Sequence, residues 1–147
     1  MITLTLAQTS PGDNNPDRNI VKVGFAGNYP GPSVAGPPFV QGGDPLPLNN
    51  ILDPQVKGQV PMPNTGQNPP PVTPYPLNEW LGGYYVQLQR VVTGVGLAAV
   101  TTFYLHLFAP GGAEVAAGTA YATIPPAPYA GTAELFLELL VPVQQQS

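Results

Sequence analysis

Proline and glycine decide most of what this chain can become. Of its 147 residues 21 are proline and 17 glycine, and the prolines recur along much of its length, with a run at Pro69-Pro70-Pro71. Proline removes an amide donor and glycine carries a high ordering entropy, so neither suits the interior of a long helix. What such a chain can build is a set of short strands joined by stiff loops. Its length lies within the range of one domain with a single modest core.

Charge narrows the field further. Only 8% of the residues are charged, against roughly 25% in an ordinary globular domain. With 43% hydrophobic residues, the chain has neither the low hydrophobicity nor the high net charge of a disordered segment, so it folds. A free monomer with so few charges has little electrostatic protection against association, which predicts that partners cover much of its surface. Four basic residues against eight acidic ones give a net charge of −4. That balance offers no basic footprint for phosphate, so nucleic-acid binding is not expected. The absence of cysteine excludes disulfides, thiolate metal sites and thiol nucleophiles.

Alternation of apolar and polar residues locates the strands. Ile2, Leu4 and Leu6 alternate with Thr3 and Thr5 before Ser10-Pro11-Gly12-Asp13 breaks the pattern, which predicts a short N-terminal strand. It either pairs in its own subunit or crosses as an arm to a neighbour. Val21, Val23 and Phe25 form one side of a second strand over 20–25. From Asn28 to about Leu77 the chain reads as extended loop, with Phe39-Val40, Leu46-Pro47-Leu48 and Ile51-Leu52 as edge-strand fragments and polyproline II around Pro61 to Pro71.

The second half carries the expected core. Tyr84 to Val92, Leu97 to Phe108 and Glu134 to Val141 each alternate, and Val86, Leu88, Phe103, Leu105, Leu107, Leu135, Leu137 and Leu139 are predicted to share one core. The residues 114–121 read as a short strand or a loop. The fold class is therefore all-β: a small β-sandwich or jelly-roll-like domain with long Pro/Gly-rich loops. The expected division is an N-terminal strand or arm over 1–19 and one sandwich domain over 20–147, with the Pro-rich loop at about 28–77.

Chemistry-bearing patterns are sparse. His106, the sole histidine, has as possible serine partners only Ser10, Ser33 and Ser147, which lie in loops or tails and give a Ser-His-Asp triad poor support. Asp13, Asn15 and Asp17 have the spacing of a calcium loop, but Arg18 stands where its glycine belongs and no bidentate glutamate follows, so a turn is the simpler reading. Glu134 and Glu138 on a strand would lie roughly 13 Å apart, beyond either glycosidase geometry. Gly42-Gly43-Asp44 lacks the lysine and following helix of a phosphate loop. No enzyme activity, cofactor or metal is expected. Nor is a membrane span or a signal peptide, since Val91 to Ala109 is rich in β-branched and aromatic residues and Ile2 to Ala7 alternates.

Several separated pieces carry a family likeness: Val21-Lys22-Val23-Gly24-Phe25-Ala26-Gly27-Asn28-Tyr29, Gly42-Gly43-Asp44-Pro45-Leu46-Pro47-Leu48, Gly83-Tyr84-Tyr85-Val86, and Phe108 to Tyr121 around Ala109-Pro110-Gly111-Gly112. In this order, over roughly residues 20 to 141, the chain resembles the head decoration or cement proteins of tailed bacteriophages. The resemblance implies an all-β homo-oligomer, a dimer or trimer, bound to the major capsid protein on the outer surface of the virion and made in the host cytoplasm. It transfers no catalytic residue, and the Pro-rich stretch Pro61 to Pro76 departs from its pattern. The rival reading is a tail, fibre or baseplate β-domain that binds host-surface glycan. Tyr29, Phe39, Tyr75 and Trp80 are the expected partner anchors, because aromatics supply large contact area with few rotatable bonds.

Overall fold

The computed structural model describes residues 1–7, 18–48, 50–53, 58–60, 73–78, 81–126 and 134–140. These residues form nine strands: β1 (Ile2–Ala7), β2 (Arg18–Phe25), β3 (Asp44–Pro45), β4 (Ile51–Asp53), β5 (Gly58–Val60), β6 (Thr73–Pro76), β7 (Tyr85–Thr93), β8 (Val100–Phe108) and β9 (Leu135–Leu140). The helical content of the described residues is three single 3-10 turns, as the proline and glycine content requires. The strands make two sheets, one of six strands in the order β5-β4-β1-β2-β9-β6 and one of three in the order β3-β8-β7. The fold is the expected all-β, sandwich-like domain.

The six-stranded sheet is built on the alternation read from the sequence. β1 pairs antiparallel with β2, and β2 with β9, while β1 runs parallel to β4. This register places Leu4 beside Ile51 on one side and Val23 on the other, and Val23 beside Leu135. All four side chains are buried. Leu6, Val21 and Leu137 make the next row. Such cross-strand rows stabilise a sheet because each side chain packs on two neighbours at once. The opposite face carries Thr3, Thr5 and Lys22, and Lys22 Nζ lies 3.1 Å from Glu134 Oε1 at the surface.

The N-terminal strand is an inner strand of its own chain. Ile2 and Leu4 are core residues and Leu6 packs against the core. β1 lies between β2 and β4 in the six-stranded sheet, and residues 8–17 of the expected 1–19 segment lie outside the described residues.

The second sheet faces the first across one shared core. Phe103, Leu105 and Leu107 of β8 are buried with Leu135, Leu137 and Leu139, while Val86 and Leu88 of β7 are half-buried against them. β7 is an edge strand, and a side chain there loses one of its two lateral neighbours.

The stretch from Asn28 to Leu77 contributes more to the interior than its sequence suggests. Tyr29, Leu46, Leu48 and Ile51 all belong to the core. Leu46 N donates to Phe103 O at 2.9 Å, which ties the short β3 region to β8. Leu46 and Leu48 come from one fragment and Ile51 from another, whereas Phe39 and Val40 stay exposed. Nearby, Tyr29 N donates to Thr119 O and Gly118 N to Tyr29 O, so residues 114–121 are a loop tied down by isolated bridges at Glu114 and Ala120.

Candidate functional site

The most organised polar feature lies on the side of the β7–β8 ribbon that faces away from the core. Gln87 and Gln89 of β7 and Tyr104, His106 and Phe108 of β8 share this face by strand alternation. The turn after β8 returns the chain through Ala109-Pro110-Gly111-Gly112, where Gly112 N donates to Ala109 O. Val115 N then donates to Leu107 O at 2.9 Å, which lays Glu114 alongside the end of β8. From the other direction comes the loop that begins at Tyr29 and ends at Gly43, closed by Gly43 N donating to Gly31 O at 2.9 Å.

These segments converge on His106, which is 8% exposed. Its Nδ1 lies 2.7 Å from Glu114 Oε1 and its Nε2 2.7 Å from Gln89 Oε1. Gln41 Nε2 donates to the same Gln89 oxygen at 3.0 Å and to Gly42 O at 2.9 Å. Tyr29 donates its hydroxyl proton to Glu114 Oε1 at 2.6 Å and accepts from Leu107 N at 3.1 Å. Gly43 has a φ of 80° and stands so close to the ring that a Cβ there would meet His106 Nε2 at 2.8 Å. Only glycine meets both demands, the left-handed backbone and the close approach.

A second polar pair lies beside the first. Tyr121 donates its hydroxyl proton to Asp44 Oδ2 at 2.7 Å, and the Met1 ammonium lies 3.1 Å from the same oxygen. Tyr121 also packs on Phe25 with ring centroids 4.9 Å apart. Burial pushes both the Tyr29 and Tyr121 hydroxyls well above the ordinary phenol range, and the carboxylates they bind, Glu114 and Asp44, push them further. These tyrosines act as neutral hydrogen-bond donors within the fold.

The expected partner anchors fall in different places. Tyr29 is completely buried, so its assignment to a partner contact is corrected: the hydroxyl is needed by Glu114 and Leu107, and the ring packs edge-on against Tyr121 at 6.2 Å. Phe39 is 62% exposed and Tyr75 about half exposed. Trp80 lies outside the described residues, as do Asp13, Asn15 and Asp17.

Phe39 sits in a short hairpin-like loop. Val34 N donates to Val40 O at 2.9 Å and Val40 N to Val34 O at 3.0 Å, and Gly42 N donates to Ser33 Oγ at 2.9 Å. Val34 and Val40 are more than half exposed beside Phe39. A second exposed apolar region is the β7–β8 connection, where Val95 is 86% exposed next to Val92 and Val100. An open groove of about 460 Å³ runs between Pro76, Leu77 and Asn78 on one side and Tyr85, Val86 and Gln87 on the other. The Tyr85 ring stacks on Phe108 with centroids 5.1 Å apart. Asn78 closes one end by bonding β9: its Nδ2 donates to Glu134 O at 2.6 Å and its Oδ1 accepts from Phe136 N at 2.8 Å.

Ser33 Oγ accepts from Gly42 N at 2.9 Å, while the two ring nitrogens of His106 face Glu114 and Gln89. Among the described residues there is no group of three or more His, Cys, Asp or Glu that could hold a metal ion, and no helix long and apolar enough to cross a membrane. Sequence reading singled out His106 but missed Glu114, Gln89 and Gln41. One signal was available: Glu114 is the only Asp, Glu, Lys or Arg between Arg90 and Glu134, and an isolated carboxylate in an apolar stretch marks a polar partner in need of one. Compared with known proteins, the chain matches no family model, no curated protein and no solved structure.

Proposed function

We propose that this chain is a structural virion protein that binds the outer surface of a tailed-phage capsid and decorates or cements the shell as a homo-oligomer. The observation that carries the reading is the loop from Ser33 to Gly42, which holds Val34, Phe39 and Val40 out in solvent while its base is bonded to β7 through Gln41 and Gln89. An exposed aromatic on a restrained loop loses little conformational entropy on docking, which is what an interface anchor needs. Low charge agrees with a surface meant to be covered, and the sequence likeness supplies the partner. Oligomeric attachment at repeated capsid junctions gains by multivalency without any deep pocket.

Mild dissociation of purified particles, followed by identification of what is released, tests this directly. Many copies leaving an otherwise intact, genome-filled shell support decoration. Phe39→Ser should then lower occupancy on expanded capsids, whereas unchanged occupancy removes this loop from the contact. The groove beside Tyr85 favours a second reading, a tail, fibre or baseplate domain that binds host glycan, because an aromatic ring bordered by the exposed amide of Gln87 suits a sugar. Release with tails rather than heads would select it.

A further inference from the structure

Two sheets have four edges, and three of these are poor templates for a further strand. β3 is two residues long and ends in Pro45, β5 is three residues long, and β6 carries Pro74 and Pro76. Shortness and proline are common ways of keeping an edge strand from adding a neighbour. β7 has neither. It runs for nine residues without proline, and its register with β8 is unbroken by a bulge from Tyr85↔Phe108 to Thr93↔Val100.

The direction of the spare hydrogen-bonding groups of β7 follows from β8. Phe103 O accepts from Leu46 N, Leu107 O accepts from Val115 N, and Leu107 N donates to the Tyr29 hydroxyl. The odd-numbered residues of β8 thus turn their backbone away from β7. The even-numbered ones bond β7 through their register partners Tyr85, Gln87, Gln89 and Val91. Val86, Leu88 and Val92 therefore present N–H and C=O to the outer side of the sheet, where no described residue pairs with their backbone. Backbone polar groups held in line along an edge are a ready template for another strand.

We propose that β7 is the interface of a two-fold homodimer, pairing antiparallel with β7 of a second copy so that the two three-stranded sheets become one. The strand is complementary to itself about its midpoint, Gln89. Pairing over the full length sets Val86 opposite the partner's Val92, and Arg90, the one charge on the strand, opposite the partner's Leu88. An axis through Arg90 would instead set two like charges against each other, which is unfavourable. Shape agrees with charge. Val92 is 39% exposed at one end of β7, and at the other end the open groove of about 460 Å³ lies between Val86 and Pro76, Leu77 and Asn78 of the facing sheet's edge. Val86 and Val92 lie on the same face of the strand, and residues directly opposite in an antiparallel pair share a face. The two-fold therefore brings the partner's Val92 into the groove beside Val86, and the reciprocal contact forms at the other end. Because this fit uses both ends of one strand, it selects a second copy over an unrelated extended chain. The interface deepens the homo-oligomeric part of the capsid reading and rests on no other part of it: the free chain tests the dimer, and particle occupancy tests attachment.

Sedimentation of the full wild-type chain at about 100 μM, where even a weak specific interface is occupied, should show a dimer. The amides of Val86, Leu88 and Val92 should exchange at least about tenfold more slowly there than after dilution to the monomer. Val92→Lys sets a charge against the partner's Val86 at both ends, and should raise the dimer dissociation constant about a hundredfold, tenfold at each end, with the far-UV circular dichroism unchanged. Because the chain has no cysteine, cross-linking reads the register. Pairing about Gln89 sets Gln87 opposite the partner's Val91, so oxidising a mixture of Gln87→Cys and Val91→Cys should give the mixed disulfide dimer ahead of either like pair. A monomer at that concentration, a trimer, or a dimer whose Val86, Leu88 and Val92 amides stay unprotected overturns the proposal. So do protected amides in a monomer, which would mean that another segment of the same chain covers the edge, and like-pair disulfides that form as fast as the mixed one. Should Val92→Lys fail to fold, the wild-type exchange and the cross-linking decide.

Discussion

In the six-stranded sheet, β1, β2 and β9 each have a strand on both sides, whereas β7 of the three-stranded sheet has one on a single side. The consequence shows in the same residue type: Leu4 and Leu137 are fully buried, while Leu88 is only half-buried. The inner strands are fixed chiefly by apolar rows. The β7–β8 ribbon is held on its core face by leucines and on its other face by side-chain hydrogen bonds to two loops. Apolar packing is insensitive to protonation and tolerates neighbours of approximate shape. A polar network demands every partner in place. The molecule therefore has a region built to be stable and a region whose order depends on individual groups.

The largest effect should come from the inner sheet. Leu137→Ala removes a side chain that is packed from both lateral strands and the facing sheet, and should cost about 2–5 kcal/mol. Chemical denaturation measures it, and a cost no larger than that of Leu88→Ala would erase the distinction between inner and edge strands. Tyr29→Phe comes next. It keeps the ring but leaves Leu107 N without its acceptor and Glu114 with His106 alone, and an unsatisfied buried group costs about 1–3 kcal/mol. A change below about 0.5 kcal/mol would show that the polar network does not hold the loops.

Alkaline pH probes the same network. The folded-state Tyr29 and Tyr121 hydroxyls are held above the phenol range by burial first and by Glu114 and Asp44 second. A raised pKa means that the stability these groups contribute is fully present below the unfolded value of about 10 and falls as pH rises beyond it, because the unfolded chain then releases protons that the folded chain retains. Unfolding midpoints should drop above about pH 10, and Tyr121→Phe should flatten that drop. An equally steep drop in Tyr121→Phe would assign the alkaline loss to other tyrosines.

What was legible in the sequence follows the same division. β1, β7, β8 and β9 were visible because period-two alternation is a local signal, and the eight core residues it selected all lie in or against the core. The fragments Leu46-Pro47-Leu48 and Ile51-Leu52 were not recognised as core, since each is too short to show a period and supplies only one or two side chains, Leu46 and Leu48 from the first and Ile51 from the second, to a wall built elsewhere. β6 is a proline-containing edge strand, Thr73 to Pro76, in a place that proline tolerates because one side of the strand needs no ladder donor. Tyr29 was misplaced for a clear reason. An aromatic next to Pro30-Gly31 looks like an exposed turn residue, and its partner Glu114 stands 85 positions away. Long-range polar pairing leaves no periodicity to read.

The smallest stability effects are expected at the surface. Lys22 and Glu134 meet at 3.1 Å with both side chains about half exposed. Lys22→Ala should cost less than about 1 kcal/mol, and less still in high salt, since exposed charges are screened. Phe39→Ser should come out nearer zero, because the ring is mostly in solvent and the Val34–Val40 ladder that shapes its loop uses backbone atoms alone. That near-zero value is informative beside a binding measurement. A side chain that contributes nothing to folding yet changes capsid occupancy is present for the partner, whereas a loss of several kcal/mol would mean that Phe39 packs within the chain and that the loop is structural. Denaturation of the variant and its occupancy on expanded capsids, measured on the same preparation, separate the two.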